Sequence, residues 1–278
     1  WAYYSQFLPQ PIFVLDQHNV DELYFGSFLK SENIFVSIYA RLEVFKARSL
    51  ERQWYPKFDV ILSVSPEDVR VTSRYIDENT KVLLSPNGVD TEYFKPVIPR
   101  LVIDSAPVLV FGASLDVLMN QDAVKWFINN VWPMLRKEIP DVQFWIVGRN
   151  PPESIAELNQ KDGITVTGMV PDVRIYYEKA DVFVVPLRFG GGTKLKTIEA
   201  MAMGLPVVST TVGAQGLSVV HGQHLLISDE AYDFTSHIIY LLKNRKKAQQ
   251  MGVEARLLVE DLYGWECIVK KMDDQIKD

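Results

Sequence analysis

The most informative segment of the sequence joins a glycine-rich loop to a stretch that carries two lysines and a glutamate. The loop is Gly190–Thr193, and Lys194, Lys196 and Glu199 follow it. Glycines let a backbone approach a ligand closely, and the free amides at a helix start attract anions. The lysines, together with Arg188 just before the loop, add positive charge at the same place. The segment therefore predicts a site for a phosphate-bearing ligand.

A simpler interpretation of this segment is a glycine turn followed by a surface pair between Lys196 and Glu199, which lie three residues apart on one helical face. That interpretation suits an isolated run of glycines. Here an apolar strand precedes the loop and Gly204-Leu205-Pro206 leads into another strand, which favours a ligand site. The segment is not a P-loop, because its lysine follows Thr193 instead of preceding Ser or Thr, and no paired carboxylate for magnesium accompanies it.

The composition is that of an ordinary globular protein: 47% of the 278 residues are hydrophobic and 23% are charged. A net charge of −6 argues against a nucleic-acid partner, which would need a basic surface. Cys267 is the single cysteine, which excludes an intrachain disulfide and a thiolate metal cluster. No apolar run reaches the ~20 residues that span a bilayer. The chain opens on Trp1 without Met or a signal peptide, like the middle of a longer protein, and we expect a cytoplasmic location.

Apolar runs alternate with amphipathic stretches, which is typical of parallel strands joined by helices. Ser65-Pro66 is a predicted helix start, with a hydroxyl cap and a proline in the first turn. Prolines at 96, 99 and 107 indicate an interdomain linker. Strands are predicted at 12–15, 60–64, 82–84, 108–111, 143–147, 164–167, 182–185, 207–209 and 225–227. Helices are predicted at 35–54, 121–138, 153–160, 173–179, 194–203, 231–243, 246–260 and 265–277.

Several motifs in this order resemble those of glycosyltransferase family 4. The sequence Glu199-Ala-Met-Ala-Met-Gly204-Leu-Pro206, preceded by the glycine loop, is similar to the donor-site signature of that family. Asn87–Pro96 resembles the stretch that leads into its linker. Three strand-end loops also match, at Phe111-Gly112, Ile146–Arg149 and Thr167–Asp172. The resemblance implies a GT-B fold, an α/β architecture of two Rossmann-like domains with parallel sheets, of which the N-terminal one is expected to be incomplete.

The resemblance also implies an activity and a set of site residues. The activity is a retaining transfer of a sugar from a nucleotide-diphosphate-sugar donor to a glycan, lipid or other hydroxyl acceptor, with no metal or other cofactor. Glu199 matches the glutamate that holds the ribose hydroxyls, a strong contact for a carboxylate. Met169 and Val170 match the loop whose backbone reads the base. The further residues expected to bind the donor are Gly112, Ser114, Asn120, Arg149, Arg188, Gly191, Gly192, Thr193 and Lys194.

Two departures from the family pattern concern the phosphate site. Gly191 stands where many members carry a further glutamate, and residues 112–120 lack the cations that many members have there. The chain fits a subgroup with a glycine loop, a Thr, a basic residue and a Lys before the glutamate. The hypothesis is that Lys194, Lys196 and Arg188 replace the missing cations. A structural ion pair is the alternative for Arg188.

The residues expected to take part in catalysis are His18, Lys196 and Glu199. His18 follows the first predicted strand at the ligand-binding edge of a sheet and matches a family histidine near the transferred sugar, although a lone histidine is more often structural. His221 and His224 lack a third ligand at metal spacing, which indicates a solvated turn. Asp229-Glu230 lies either near the donor cleft or at the cap of the helix at 231–243.

The expected domain organisation is a partial acceptor-side domain at 1–95, a linker at 96–106, a nucleotide-sugar-binding domain at 107–262, and a C-terminal helix at 263–278 that packs back on the first domain. The expected partners are the donor and a glycan or lipid-linked acceptor. A further expectation is peripheral contact with the inner membrane face through Trp1, Tyr3, Tyr4 and Phe7. A non-catalytic nucleotide-sugar-binding fragment and a sugar-nucleotide epimerase of the same fold are the alternative functions. Oligomeric state is left open by the sequence.

Overall fold

The computed structural model of the protein describes residues 12–30, 34–96 and 106–277. The chain forms two compact units. The first comprises the described residues up to Asn87, the short segment Gly190–Thr193 and the residues from Met272; the second comprises Gly88–Phe189 and Lys194–Lys271. Residues 97–105 of the expected linker, and Trp1, Tyr3, Tyr4 and Phe7, lie outside the described residues.

The first unit contains a three-stranded parallel sheet in the order β1-β2-β3. Its strands are β1 (Val14–Gln17), β2 (Val60–Ser63) and β3 (Lys81–Leu84), and its helices are α1 (Asp21–Ser27), α2 (Ile34–Trp54) and α3 (Pro66–Thr72). Helix α3 begins as predicted, because the Ser65 hydroxyl accepts from the Asp68 amide at 3.1 Å. Helix α1 follows no strong sequence signal and was not predicted. On helix α2, Ala40, Val44 and Ala47 are buried, whereas Phe35 and Phe45 are exposed.

The second unit contains a six-stranded parallel sheet in the order β6-β5-β4-β7-β8-β9. Its strands are β4 (Val108–Gly112), β5 (Gln143–Val147), β6 (Ile164–Gly168), β7 (Val182–Val185), β8 (Val207–Ser209) and β9 (Leu226–Ile227). Strands β4, β7 and β8 are buried along their whole length, as expected for a parallel sheet covered on both faces. In chain order this sheet reads 3-2-1-4-5-6, the order of a doubly wound Rossmann fold. The α/β fold class predicted from the sequence is confirmed.

Helices join the strands of the second unit. They are α4 (Leu118–Trp126), α5 (Trp132–Glu138), α6 (Glu153–Ala156), α7 (Arg174–Tyr177), α8 (Leu195–Ala202), α9 (Ala231–Lys243) and α10 (Arg245–Leu262), followed by α11 (Trp265–Lys277), which runs on into the first unit. A single π-helical turn, Phe127–Val131, joins α4 to α5. Helices α6 and α7 are shorter than predicted, because the residues that follow each helix form turns.

None of the helices in the described part of the chain is long and apolar enough to cross a membrane. Within residues 12–30, 34–96 and 106–277, no group of three or more His, Cys, Asp or Glu side chains is placed to hold a metal ion.

Candidate donor site at the switch point of the larger sheet

The candidate site of the second unit lies where the strand order of its sheet reverses. Strands β4 and β7 are neighbours, with Leu109 opposite Val182 and Val110 opposite Phe183. The chain leaves β4 toward one side of this point and β7 toward the other. Ligands of doubly wound sheets bind in the crevice that such a reversal opens at the carboxyl ends of the strands. Nearly all of the predicted donor-site residues of this unit follow these two strands or follow β5 and β6, which lie on the β4 side of the sheet.

The loop after β4 is held in place by hydrogen bonds with the loop after β5 and with α4. The Leu115 amide donates to the Arg149 carbonyl at 2.9 Å, and Arg149 Nε donates to Ser114 Oγ at 2.7 Å. Asn120 Nδ2 donates to the Ser114 carbonyl, also at 2.7 Å. Three predicted donor-site residues, Ser114, Asn120 and Arg149, are therefore brought together and make contacts with one another.

Lys196, on α8 after β7, reaches across to this network. Its Nζ donates to Asn120 Oδ1 at 2.6 Å and lies 4.9 Å from the centre of the Phe111 ring. Burial, with a smaller contribution from the neighbouring positive charge of Lys194, lowers the pKa of Lys196 to about 7, although the negative charge of Glu199 opposes the change. A lysine in such a state gains a proton readily when an anion approaches, which suits a phosphate ligand.

Glu199 lies one turn after Lys196 on α8. Burial raises the pKa of its carboxyl group, and the positive charge of Lys196 opposes that change. Tyr177 lies close enough for the Glu199 charge to add to the effect of burial in raising the tyrosine pKa. The Tyr177 hydroxyl occupies the space beside Gly112, where a Cβ would come within 2.0 Å of it. This tyrosine, whose side chain is 2% exposed, was not among the predicted site residues.

Arg188 makes a bidentate ion pair with Asp122 of α4, in which Nε–Oδ2 is 2.8 Å and Nη2–Oδ1 is 2.5 Å. This contact corresponds to the structural alternative considered for Arg188. A guanidinium neutralised in this way attracts a phosphate less strongly than an unpaired one. Lys196 and Lys194 are therefore the better candidates for the cations of the site.

The loop after β6 presents Met169 and Val170, the pair predicted to read the base. Gly168 ends the strand with a φ of +66°, a conformation that glycine adopts without strain. Met169 is 81% exposed, whereas Val170 is partly buried against the core of the unit. An exposed methionine beside an open backbone is compatible with contact to a flat ring.

The segment Gly190–Thr193, whose last three residues were predicted to face the diphosphate, groups with the first unit. There the Gly190 amide donates to Ser27 Oγ at 3.1 Å. Gly190 and Gly192 have φ values of +117° and +68°, and a Cβ on Gly192 would lie 2.4 Å from Asn19 Oδ1. The backbone of this segment thus needs glycine for two reasons, conformation and space.

His18 directly follows β1 in the first unit. Its Nε2 lies 3.7 Å from an Asp16 carboxylate oxygen, and both side chains are largely exposed, at 69% and 64%. The position at the end of a parallel strand agrees with the predicted one, and the catalytic role of this histidine stays a prediction.

The prediction of a solvated turn at the two late histidines is correct for His221 and wrong for His224. His224 is buried, and its Nδ1 accepts from the Val220 amide at 3.0 Å. His221 is exposed, although its Nδ1 also accepts a backbone hydrogen bond, from Ile227 at 2.9 Å. Each ring accepts a hydrogen bond from a backbone amide, and both therefore stabilise the chain around the turn before β9.

Asp229-Glu230 does not cap α9 with a side chain, contrary to one of the two interpretations. Glu230 occupies the N-cap position without a side-chain bond. The Asp229 carboxylate instead accepts from the amide and the hydroxyl of Thr211, at 2.8 and 2.7 Å. The acid joins the loop after β8 to the loop after β9, a long-range contact that local spacing cannot reveal.

The sequence profile of one protein family, described as Glycosyl transferases group 1, matches residues 106–244, which is half of the chain. The chain belongs to the group 1 glycosyl transferases. The matched range includes β4 to β9 and all the predicted donor-site residues of the second unit.

Two bacterial proteins are similar to this chain over most of its length. A Klebsiella pneumoniae protein, described as an uncharacterized 44.6 kDa protein in the cps region, is 27% identical over 261 residues, covering 90% of this chain and 64% of that protein. A GDP-mannose-dependent alpha-(1-6)-phosphatidylinositol monomannoside mannosyltransferase of Mycolicibacterium smegmatis is 27% identical over 202 residues, covering 65% of this chain and 52% of that protein. The chain thus spans between about half and just under two thirds of the length of these relatives.

One solved structure resembles this chain along its whole length. The sucrose-phosphate synthase of Thermosynechococcus elongatus superposes with a TM-score of 0.77 at 22% identity, covering 100% of this chain and 69% of that one. At this level of identity the likeness concerns the fold, which is the GT-B fold of two Rossmann-like domains.

Proposed function

We propose that this protein is the donor-binding part of a retaining glycosyltransferase that uses a nucleotide-diphosphate sugar. The observation that carries the proposal is the meeting of Lys196, Asn120 and Glu199 at the switch point of the larger sheet. There a cation and a carboxylate stand one helical turn apart, which suits a diphosphate and the two hydroxyls of a ribose. The relative from Mycolicibacterium smegmatis, which depends on GDP-mannose, supports a nucleotide sugar as the donor.

In the proposed complex, Glu199 accepts hydrogen bonds from the ribose hydroxyls, and Lys196, with Lys194 at the start of α8, holds the diphosphate. The backbone of Met169 and Val170 contacts the base. Lysine charge and the positive end of the helix dipole stabilise the negative charge that develops on the leaving diphosphate. Because these groups supply the positive charge, we propose that donor binding requires no metal.

The proposed reaction exchanges one bond at the anomeric carbon of the sugar. The bond from that carbon to the diphosphate oxygen breaks, and the acceptor oxygen forms its bond on the same face, so that the configuration is retained. The acceptor proton passes to the leaving diphosphate oxygen. His18 is then not required as a base. The acceptor is proposed to be a hydroxyl of a glycan or of a lipid-linked glycan.

Isothermal titration calorimetry with a panel of nucleotide sugars in buffer with EDTA tests donor binding. We expect at least one donor, GDP-mannose or another, to bind, and Glu199→Gln to weaken that binding by roughly tenfold or more, because a neutral amide accepts ribose hydrogen bonds less strongly than a carboxylate. The matched control is Glu157→Gln, an exposed acid at the end of α6. Absence of binding by every donor, or an equal loss in both variants, would contradict the proposal.

Transfer itself is tested with the same donors and a glycan or glycolipid acceptor. We expect release of the nucleoside diphosphate to depend on the acceptor and the product to keep the anomeric configuration of the donor. Donor binding without acceptor-dependent release would instead indicate a binding module, and a new sugar nucleotide formed without acceptor would indicate an epimerase.

A further inference from the structure

We propose that Asn120 is a positioning residue for Lys196 and not a ligand of the donor. This inference deepens the proposed function, since it assigns how the cation of the diphosphate site is held. Asn120 is 5% exposed and lies on α4, the helix that follows β4. Lys196 lies on α8, the helix that follows β7. Their hydrogen bond therefore joins the two elements that flank the switch point of the sheet.

The orientation of the Asn120 amide is determined by its two partners. The Ser114 carbonyl can only accept a hydrogen bond, so the group that faces it at 2.7 Å must be the Asn120 NH₂. The Asn120 oxygen is then the atom that faces Lys196, whose protonated Nζ can only donate, at 2.6 Å. Exchange of the two amide atoms would place donor against donor and acceptor against acceptor. Both polar groups of this buried side chain thus serve contacts within the protein.

The Ser114 end of this chain of hydrogen bonds is itself fixed. Arg149 Nε donates to Ser114 Oγ at 2.7 Å, and Asp116 also bonds to the Ser114 side chain and to Asn150. These bonds lower the pKa of Asp116, with the contact to Ser114 as the main cause. An amide anchored to a fixed carbonyl can hold a long, flexible lysine side chain in one position, which a ligand-binding cation requires.

A neutral partner holds the lysine without cancelling its charge. The groups that face Lys196 are the uncharged Asn120 and the Phe111 ring from the β4 side, and the charged Lys194 and Glu199 from its own helix. A carboxylate in place of the amide would stabilise the protonated amine and would also compete with the diphosphate for it. An asparagine thus positions the cation and leaves its charge available to an incoming anion.

The test measures the titration of Lys196 in the protein without donor, by NMR of 13C-labelled lysine side chains, with the resonance assigned through Lys196→Arg. We expect Asn120→Asp to raise the midpoint by about one pH unit or more, and Asn120→Leu to leave the midpoint unchanged or lower it. The matched control is Asn130→Asp, an exposed asparagine whose amide bonds to Trp126 one turn earlier, and we expect it to leave the midpoint unchanged.

The same variants are then titrated with the donor found by calorimetry. We expect Asn120→Leu to weaken donor binding by roughly tenfold, since a bond to a charged group is lost. An unchanged Lys196 midpoint in Asn120→Asp would overturn the positioning role, whether or not a donor binds. Failure of every donor to bind, with the expected shift of the midpoint, would instead contradict the proposed function and leave the Asn120–Lys196 contact established.

Discussion

Among single residues, Gly112 shows most directly how packing constrains the site. It ends β4 at the switch point, and the hydroxyl of Tyr177 takes the place that a side chain would need. Tyr177 is buried and packs against Phe183 with its ring centre 4.9 Å away. The resemblance to glycosyltransferase family 4 implied that Gly112 binds the donor. The structure shows a second role for this glycine: because it has no side chain, it leaves room for the hydroxyl of Tyr177.

Substitution of Gly112 by alanine is expected to destabilise the protein by about 1–3 kcal/mol, because the new methyl group overlaps the Tyr177 hydroxyl. Tyr177→Phe removes the oxygen and should recover part of that loss in the double variant. Urea titrations of the three variants measure the coupling. Gly26→Ala is the control, since its added Cβ meets no atom within 4 Å other than its chain neighbours and the backbone of its own helix. Additive effects of the two substitutions would contradict this explanation.

At the scale of elements, helix α3 begins with an N-cap that the sequence predicts. Ser65 is buried; its hydroxyl accepts from the Asp68 amide at 3.1 Å and donates to the Asp68 carboxylate at 2.6 Å. Pro66 occupies a first-turn position, where its missing N–H costs nothing. The helix therefore begins at a fixed residue directly after β2.

The Ser65→Ala variant is expected to lower the free energy of unfolding by ~1 kcal/mol, because one backbone donor of α3 loses its partner. The comparison is Ser73→Ala at the other end of the same helix, where the exposed hydroxyl donates to the Val69 carbonyl, which the helix already bonds. A larger loss in Ser73→Ala than in Ser65→Ala, measured by urea denaturation, would show that the cap is not what holds the start of α3.

At the scale of the whole molecule, the candidate site lowers the free energy of unfolding of the protein. Burial lowers the pKa of Lys196 to about 7 in the folded protein, whereas an unfolded lysine titrates near 10.4. Between these two values the unfolded chain binds more protons at this residue than the folded one. The contribution of Lys196 to the free energy of unfolding therefore rises as the pH increases from about 7 to about 10. A functional site that destabilises its fold is a common compromise.

Replacement of Lys196 by methionine, which keeps an unbranched side chain without the charge, is expected to stabilise the protein at pH 7 and to abolish donor binding. The gain should shrink as the pH rises toward 9.5, because the cost of removing the proton from the lysine on folding falls as the pH approaches the unfolded-state pKa near 10.4. Urea titrations of both proteins at pH 7, 8 and 9.5 measure the difference between their free energies of unfolding. The contributions of the other titrating groups are the same in both proteins and cancel in this difference. A gain that does not vary with pH would mean that the charge of Lys196 is not what destabilises the fold.

Much of the larger sheet was predictable, because its strands are short apolar runs buried on both faces and bounded by turn residues. Strands β5, β7 and β8 have the predicted bounds. The loops that carry Ser114, Arg149 and Met169 could be placed at strand ends by the same pattern. Helix α1 was missed because its seven residues carry no N-cap side-chain bond and no clear periodicity. The roles of His224 and Asp229 were also missed, since their partners are backbone or side-chain groups that spacing does not identify.

Apart from helix α1, the sequence by itself determined the order of strands and helices, the parallel α/β class, and the cluster of Lys194, Lys196 and Glu199 after a strand and a glycine segment. These properties depend on local composition and periodicity, which a single sequence displays. The tertiary structure decided that Asn120 faces Lys196, that Arg188 is paired with Asp122, and that Tyr177 lies against Gly112. Each of these contacts joins residues 65 to 76 positions apart, because the strand order of the sheet, and not the chain, makes them neighbours.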